Sequence, residues 1–461
     1  MVKKYLGLGG LFVFLNLVLV WASWQGFLPF ASFSAAAAGG ILLVGLAFFW
    51  PREFFWFWLV NLSLENVFFL GEEFSFSLRF FQVSAVALAI GALGKFFWEK
   101  RDCQKTRLVQ EKSWKKSNKK NFSSAEASVY LWMLLFSLGG WFSSFDRENI
   151  KWTLIIFSFG FIFSLAGRFL RSNQEKAEGL FFFLTGSSVV WLVGFYQILA
   201  GFFGWETFAV MKERINATFA EPDWLGIYWA FVLGLLLGLK NFLFHWENGK
   251  KIFFGQTGLA IFSDRILKVK IFFIGLMLAA TVSRSAWVGA AAALAVYVFW
   301  IWKDIFKGKL SLGEWLRGLK EGLAVAAVLL LAFFSVKILN FSNFDLFNRA
   351  TSTLSGRQEI TISCREEVVL PDKIDNLDQL AVWNCRHINL EEIDSQRAAG
   401  FFVSVIDRPD PNVSLRKEIY SRVWQAIKEK PWLGQGWGAS ARILGQDRKS
   451  TRLNSSHGKL S

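Results

Sequence analysis

"TVSRSAWVGA", Thr281 to Ala290, lies inside Ile271–Trp302, a membrane-type apolar run broken at Ser283-Arg284-Ser285. As one helix, the run would extend roughly 48 Å at ~1.5 Å per residue. A single crossing of hydrocarbon needs about 30 Å and two need about 60 Å. One overlong helix would strand Arg284 near mid-bilayer. A hairpin turning at Ser283-Arg284-Ser285 can borrow a turn upstream, where Lys268 and Lys270 snorkel. Both flanks are basic, with Lys268 and Lys270 before the run and Lys303 after it, so both belong on one side. The hairpin is therefore expected, with its tip slightly below the opposite membrane surface in a protein-lined pocket. An arginine held there is costly unless it faces an anion.

The rest of the chain fits a membrane protein. Of 461 residues, 53% are hydrophobic and 18% aromatic, more apolar surface than a soluble domain can cover, and several runs reach ~20 residues. The N-terminal "MVKKYLGLGGLFVFLNLVLVW" has the basic start and apolar stretch of a signal peptide, but more apolar runs follow directly, so it is expected to stay as the first helix. About eleven spans are expected, near 5–25, 31–50, 54–70, 80–98, 126–145, 152–170, 180–203, 224–244, 266–282, 285–302 and 321–339. The fold class is all-α: a polytopic membrane helix bundle with one large extracytoplasmic loop. The formal net charge of +15 raises the question of nucleic acid, but basic loops retained in the cytoplasm account for it, and no nucleic-acid partner is expected. Residues 99–120 alone hold nine Lys or Arg against three acids. With that segment in the cytoplasm, the N-terminus is cytoplasmic too, and residues 71–73, 205–223 and 340–445 face outward.

Three parts follow: a transmembrane bundle at 1–339, an extracytoplasmic loop domain at 340–446 and a tail at 447–461. Cys364 and Cys385 lie in the loop domain, on the oxidising side, while Cys103 is cytoplasmic. A Cys364–Cys385 disulfide is expected over two separate thiols. The tail "DRKSTRLNSSH", Asp447 to His457, is polar where an apolar span should begin and also reads as one frame of a common sequencing adapter. It is treated as non-native.

Two further stretches face outward with Arg284. In "RINATFAEPDWLGIY", Arg214 precedes the eighth span, and Pro222 suits the first turn of its helix. Alone, Arg214 reads as a solvated loop arginine. Beside Arg284 in one outward cavity, the two guanidiniums would suit a pyrophosphate through paired, charge-assisted hydrogen bonds. In "RKEIYSRVWQAIKEKPWLGQGWGAS", residues 416–440, an amphipathic helix is expected to end near Pro431, and Gly434, Gly436 and Gly438 mark a tight backbone passage.

Together these stretches resemble the O-antigen ligase and O-antigen polymerase superfamily. The family's R-x-x-x-x-F-x-x-P element corresponds to Arg214, Phe219 and Pro222. Its S-R-S-x-W element corresponds to Ser283, Arg284, Ser285 and Trp287. Its closing arginine, aromatic, proline and L-G-x-G-x-G run corresponds to Arg416, Tyr420, Pro431, Leu433, Gly434, Gly436 and Gly438. Trp424 is an alternative to Tyr420, which leaves Arg416 and Arg422 both open. The family often has asparagine where Asp223 stands. The resemblance spans roughly residues 200–446.

It implies a glycosyltransferase of polysaccharide or lipopolysaccharide assembly in the cytoplasmic (inner) membrane. A glycan carried on a polyprenyl (undecaprenyl-type) diphosphate would pass to a hydroxyl of a glycan or lipid-core acceptor outside. Arg284 and Arg214 would be catalytic, stabilising the departing diphosphate, with Arg416 and Arg79 binding substrate. Arg79 reads equally as an interface anchor. No cofactor or metal is implied, and the sequence has no P-loop and no H-E-x-x-H pattern. Family members carry a histidine after the glycine run. His245, His387 and His457 do not match it, so the chain is expected to continue past Gln446 and to be inactive as it stands; glycan transfer by the purified 1–461 chain would refute that. A transporter or flippase for an anionic or lipid-linked solute is the main alternative, although no internal repeat supports it, and a peptidoglycan-type polymerase is another.

Overall fold

The structure is a computed structural model. It describes residues 2–71, 77–107, 124–143, 147–211, 214–245, 264–306, 312–338, 357–368, 370–371, 373–388, 392–409, 411–432 and 434–435. The tail at 447–461, Cys103's side chain, Gly436 and Gly438 lie outside these. The chain divides into two compact units, residues 1–343 with 436–438, and residues 344–435 with 439–461.

The first unit is helical. Its elements are α1 (Val2–Trp24), α2 (Phe33–Phe49), α3 (Pro51–Asn61), α4 (Phe80–Arg107), α5 (Ser124–Ser143), α6 (Arg147–Phe169), α7 (Asn173–Phe203), α8 (Pro222–His245), α9 (Asp264–Ala280), α10 (Arg284–Phe306) and α11 (Leu312–Ile338), with short strands β1 (Phe68–Leu70) and β2 (Leu78–Arg79) between α3 and α4. Among the described residues, five helices are long and apolar enough to cross a membrane, in α1, α4, α6, α7 and α8, and shorter apolar stretches lie in α2, α10 and α11. Large side chains such as Phe14, Ile41, Phe231 and Val288 are more than 60% exposed. Apolar surface on this scale suits lipid rather than water, and the chain is a multi-pass membrane protein.

The expected span at 54–70 is not one helix. α3 has 11 residues, about 16 Å at ~1.5 Å per residue, half of what the bilayer needs. The chain nevertheless travels the length of α2. It leaves the C-terminal end of α2 at Trp50, and by Leu70 it bridges Phe30, just before the N-terminus of α2. The second half of that path is turns and extended backbone. Such backbone is tolerated at membrane depth only where protein satisfies it, and Ser63 and Leu64 are indeed buried at 1% and 0% exposure. This return path brings the start of α4 to the end of the bundle where α1 finishes and α2 begins.

Packing is close where glycine permits. A Cβ on Gly226 of α8 would lie 2.5 Å from the Ala286 Cβ of α10, so only glycine lets these two helices meet there. A turn joins α9 and α10, but it lies at Thr281–Ser283, two residues before the expected Ser283-Arg284-Ser285, so Arg284 and Ser285 open α10 instead of forming the turn.

The second unit departs from the all-α expectation. It holds β3 (Arg357–Cys364), a 3-10 helix (Leu377–Trp383), β4 (Cys385–His387), α12 (Ile393–Ala398), β5 (Phe402–Pro409) and α13 (Pro411–Glu429). The antiparallel sheet has order β4–β3–β5. Ile360 and Ile362 on β3 and Ile406 on β5 form a small core with Ile374 and Leu380. β-Branched residues occupy the middle of both long strands, Ile360, Thr361 and Ile362 on β3 and Val403, Val405 and Ile406 on β5, which favours pleated sheet. Cys364 and Cys385 are register partners on β3 and β4 and are joined by a disulfide.

Candidate functional site

The segment after α7 returns over the last turns of that helix, and its residues 214–219 are unusually buried for a loop. Ile215 is 0% exposed, Asn216 1% and Thr218 2%. Buried backbone must find partners, and side chains from three directions supply them. Gln197 on α7 accepts from the amides of Asn216 and Ala217 at 3.1 and 2.8 Å through Oε1, and its Nε2 donates to Asn216 Oδ1. Thr218 Oγ1 donates to the Ser63 carbonyl at 2.6 Å, and the Asn66 amide donates to the Thr218 carbonyl at 2.7 Å. Glu65 Oε2 accepts from the Ala220 amide at 2.7 Å. The non-helical stretch after α3 therefore forms one wall of this loop.

Arg214 does not project freely into a cavity. It is 7% exposed. Its Nε donates to the Thr281 carbonyl at 2.8 Å, and one terminal nitrogen donates to Asp223 Oδ1 at 2.9 Å. The Ile215 amide donates to the Ala280 carbonyl at 3.4 Å. A helix ends with carbonyls that have no partner within it. Arg214 and Ile215 satisfy two at the end of α9, and the arginine's charge suits the negative end of that helix. A third, at Leu278, accepts from Thr281 Oγ1 at 2.8 Å and from Trp287 Nε1 at 3.0 Å. The tryptophan of the S-R-S-x-W element thus clamps α10 back onto the end of α9.

The turn so held is Thr281-Val282-Ser283, with all three residues 1% exposed or less. Val282 has φ of 51°, and Ala217 on the facing loop has φ of 47°. Left-handed backbone is uncommon for any non-glycine residue and an outlier for a β-branched one. Each such residue costs on the order of 1–3 kcal/mol and persists only when its surroundings over-determine it. Here the surroundings do. Two strained residues flank the contact between Arg214 and the turn, and Arg284 follows directly as the first residue of α10, partly exposed.

Arg79 belongs to the same end of the bundle. Its guanidinium pairs with Glu65 Oε1 and lies 5.8 Å from the Phe68 ring centroid. Glu65 therefore links Arg79 to the loop that carries Arg214. Arg79, Arg214 and Arg284 form one connected constellation: Arg79 to Glu65, Glu65 to the 214–221 loop, and Arg214 to the turn before Arg284. Sequence reasoning missed Gln197, Asn216 and Glu65 as the connectors. A lone glutamine in "GFYQILAGFF" was the available signal, because a polar residue inside a membrane segment needs a partner.

Arg416 and Tyr420 are exposed on α13, in the second unit. Gly434 has φ of 66°, and its amide donates to the Lys430 carbonyl at 3.0 Å, which closes that helix with a backbone only glycine adopts readily. Of the three histidines, His387 lies on β4, the side chain of His245 lies outside the described residues, and so does His457. Among the described residues, no group of three or more His, Cys, Asp or Glu could hold a metal ion.

The family model described as O-antigen ligase matches residues 270–458. No curated protein and no solved structure matches. The matched residues contain the Ser283–Trp287 element and the Arg416–Gly438 stretch; Arg214 and Arg79 precede them. Residues 270–458 are therefore similar to the O-antigen ligase family, a match that supports membership of the O-antigen ligase and polymerase superfamily.

Proposed function

We propose that this chain is a membrane glycosyltransferase that moves a glycan from a polyprenyl diphosphate carrier to an acceptor hydroxyl, on a glycan or a lipid core, at the outer face of the cytoplasmic membrane. The family match supports ligase- or polymerase-type transfer in general. The observation that carries the finer reading is the buried Arg214 brace on the turn immediately before Arg284.

In the reaction, the acceptor oxygen bonds to the anomeric carbon while the bond from that carbon to the diphosphate oxygen breaks. The electron pair leaves with the diphosphate, and the hydroxyl proton passes to solvent or a base. Negative charge therefore grows on the diphosphate in the transition state. A guanidinium placed there in advance lowers the barrier because it needs no reorganisation. Arg284 fills that role, at the first turn of α10, where unpaired helix amides also favour an anion. Arg214 is a positioning residue. Its hydrogen bonds to Thr281 and Asp223 fix the direction in which α10 begins, and Arg79 acts with Glu65 on the far side of the same loop. Arg416 on α13 is the remaining substrate-binding candidate.

The test is binding of a polyprenyl diphosphate glycan to the full chain in detergent, which does not require the chain to complete transfer. Arg284→Ala should bind the donor about a hundredfold more weakly, since hydrogen bonds to charged groups are worth about 1.5–3 kcal/mol each. Equal binding by Arg284→Ala would remove Arg284 from the site. Glycan movement that needs a sealed vesicle would move the chain to the transporters.

A further inference from the structure

The glycosyltransferase reading leaves most of α13 unused, although its surface is unusual. Tyr420, Val423, Trp424 and Ile427 recur at helical spacing and are 70%, 37%, 58% and 47% exposed. Trp432, just beyond the helix, is 92% exposed. An aromatic stripe like this is normally buried in a core. Here Ala426, on a different side of the helix, is the residue turned inward, at 8% exposure.

Charge is arranged around the stripe rather than at random. At about 100° per residue, with Tyr420 as centre, Lys417 and Lys428 fall about 60° and 80° to one side, and Lys430 about 80° to the other. Glu418 and Glu429 fall about 160–180° away, on the opposite face. Arg422 is also on that far face and pairs with Glu418 at 2.5 Å. Lys428 Nζ sits 5.8 Å from the Trp424 ring centroid. An apolar, Trp- and Tyr-bearing face rimmed by lysines, with its acids turned away, is the pattern of a helix lying in a bilayer interface. Lysine stems can cover apolar surface while their ammonium groups reach lipid phosphates. The chain also tethers this unit to a protein embedded in a bilayer, so the surface it fits is always within reach.

We infer that α13 docks its Tyr420–Trp424–Ile427 face on an anionic phospholipid surface, with Lys417, Lys428 and Lys430 at headgroup level. Docking of this kind would lay the helix that carries Arg416 along the membrane plane, where lipid-linked substrates arrive. The inference does not depend on the assigned reaction.

The test uses the full chain with Cys103→Ser and the disulfide intact, in nanodiscs holding one copy each. A polarity-sensitive fluorophore is placed at Trp424→Cys or, as a control, at Gln425→Cys on the far side of the helix. In discs containing phosphatidylglycerol, the 424 label should shift to the blue and be quenched by brominated acyl chains, while the 425 label stays aqueous. Replacing Lys417, Lys428 or Lys430 with glutamine should lower the bound-to-free ratio of the 424 label about fivefold per lysine. Equal, aqueous spectra at both positions would overturn the inference. So would a 424 label that is shielded from water yet unquenched by brominated lipid, or shielded only in discs with two copies, since either places protein rather than lipid on that face. No response to the lysine substitutions would overturn the anionic-surface part.

Discussion

Two arginine–carboxylate pairs stand at opposite ends of the bundle, and their burial is reversed. At one end, Arg52 on α3 pairs with Glu178 on α7 at 3.0 Å; the arginine side chain is 41% exposed and the glutamate 2%. At the other, Arg214 pairs with Asp223 at 2.9 Å; the arginine side chain is 8% exposed and the aspartate 52%. Gln197, which anchors the Arg214 loop, lies roughly 28 Å further along α7 than Glu178, at ~1.5 Å per residue. The end with the buried guanidinium, strained turns and a second arginine at a helix start is the one proposed to hold the diphosphate. Similar ion pairs thus serve different ends, and which partner is buried separates a latch between helices from a brace within a site.

The strongest way to break this comparison is to remove Arg284. Donor binding should fall about a hundredfold in Arg284→Ala, and Arg284→Lys should recover only part of it, because an ammonium lacks the paired geometry of guanidinium. Thermal unfolding in detergent should hardly change, since the side chain is partly exposed. A large loss of stability with unchanged binding would reverse the two roles.

Arg52→Ala gives the converse. It leaves Glu178 buried with the Gln174 amide, at 3.1 Å, and the Tyr5 hydroxyl as hydrogen-bond partners. Removing one member of a buried pair costs about 3–5 kcal/mol. With Arg52 partly in water, about 2 kcal/mol is the expected loss. Denaturation should report it, and donor binding should stay within about twofold, a margin worth roughly 0.4 kcal/mol. A matching loss of binding would mean that the two ends are coupled along α7.

Much of this was legible in the chain. The Ser283-Arg284-Ser285 interruption identified the hairpin because 32 residues are too many for one crossing and an arginine is a poor mid-bilayer residue. Pro222 marked the start of α8. The connectors were harder to see. Glu65 was visible only as a blemish in a supposed third span, because periodicity cannot distinguish a helix from a short helix followed by satisfied extended backbone. The sheet in the second unit was overlooked for a related reason. Ile360, Ile362 and Cys364 alternate at period two, but a strand of eight residues is a weak signal beside long apolar helices. Arg214 was recognised, yet its burial was not, since that depends on the Thr281 carbonyl, 67 residues away in sequence.

Gly226→Ala sharpens the comparison at the site itself. Its new methyl group would meet Ala286 at 2.5 Å and Ser283 Cβ at 3.1 Å, so α8 and α10 must separate. Overpacking of this kind costs about 1–3 kcal/mol. Because the contact adjoins the turn before Arg284, donor affinity should fall along with stability, unlike Arg52→Ala, where only stability falls. Unchanged affinity would mean that the position of α10 is set by Arg214 and Trp287 alone.

The smallest expected effect tests what an exposed partner does to a buried arginine. Asp223→Asn removes an anion from the neighbourhood of an incoming diphosphate while leaving Arg214 its hydrogen bond to the Thr281 carbonyl. Two unit charges about 4 Å apart in water interact by about 1 kcal/mol, so the substitution should raise donor affinity by up to about fivefold, and less at high salt. A fall in affinity would carry the opposite lesson. Asp223 would then be a strut that aims Arg214 at Thr281, and the site would depend on the exposed acid as much as on the buried base. Isothermal titration with the donor at two ionic strengths separates the alternatives, because electrostatic relief is screened by salt and a lost strut is not.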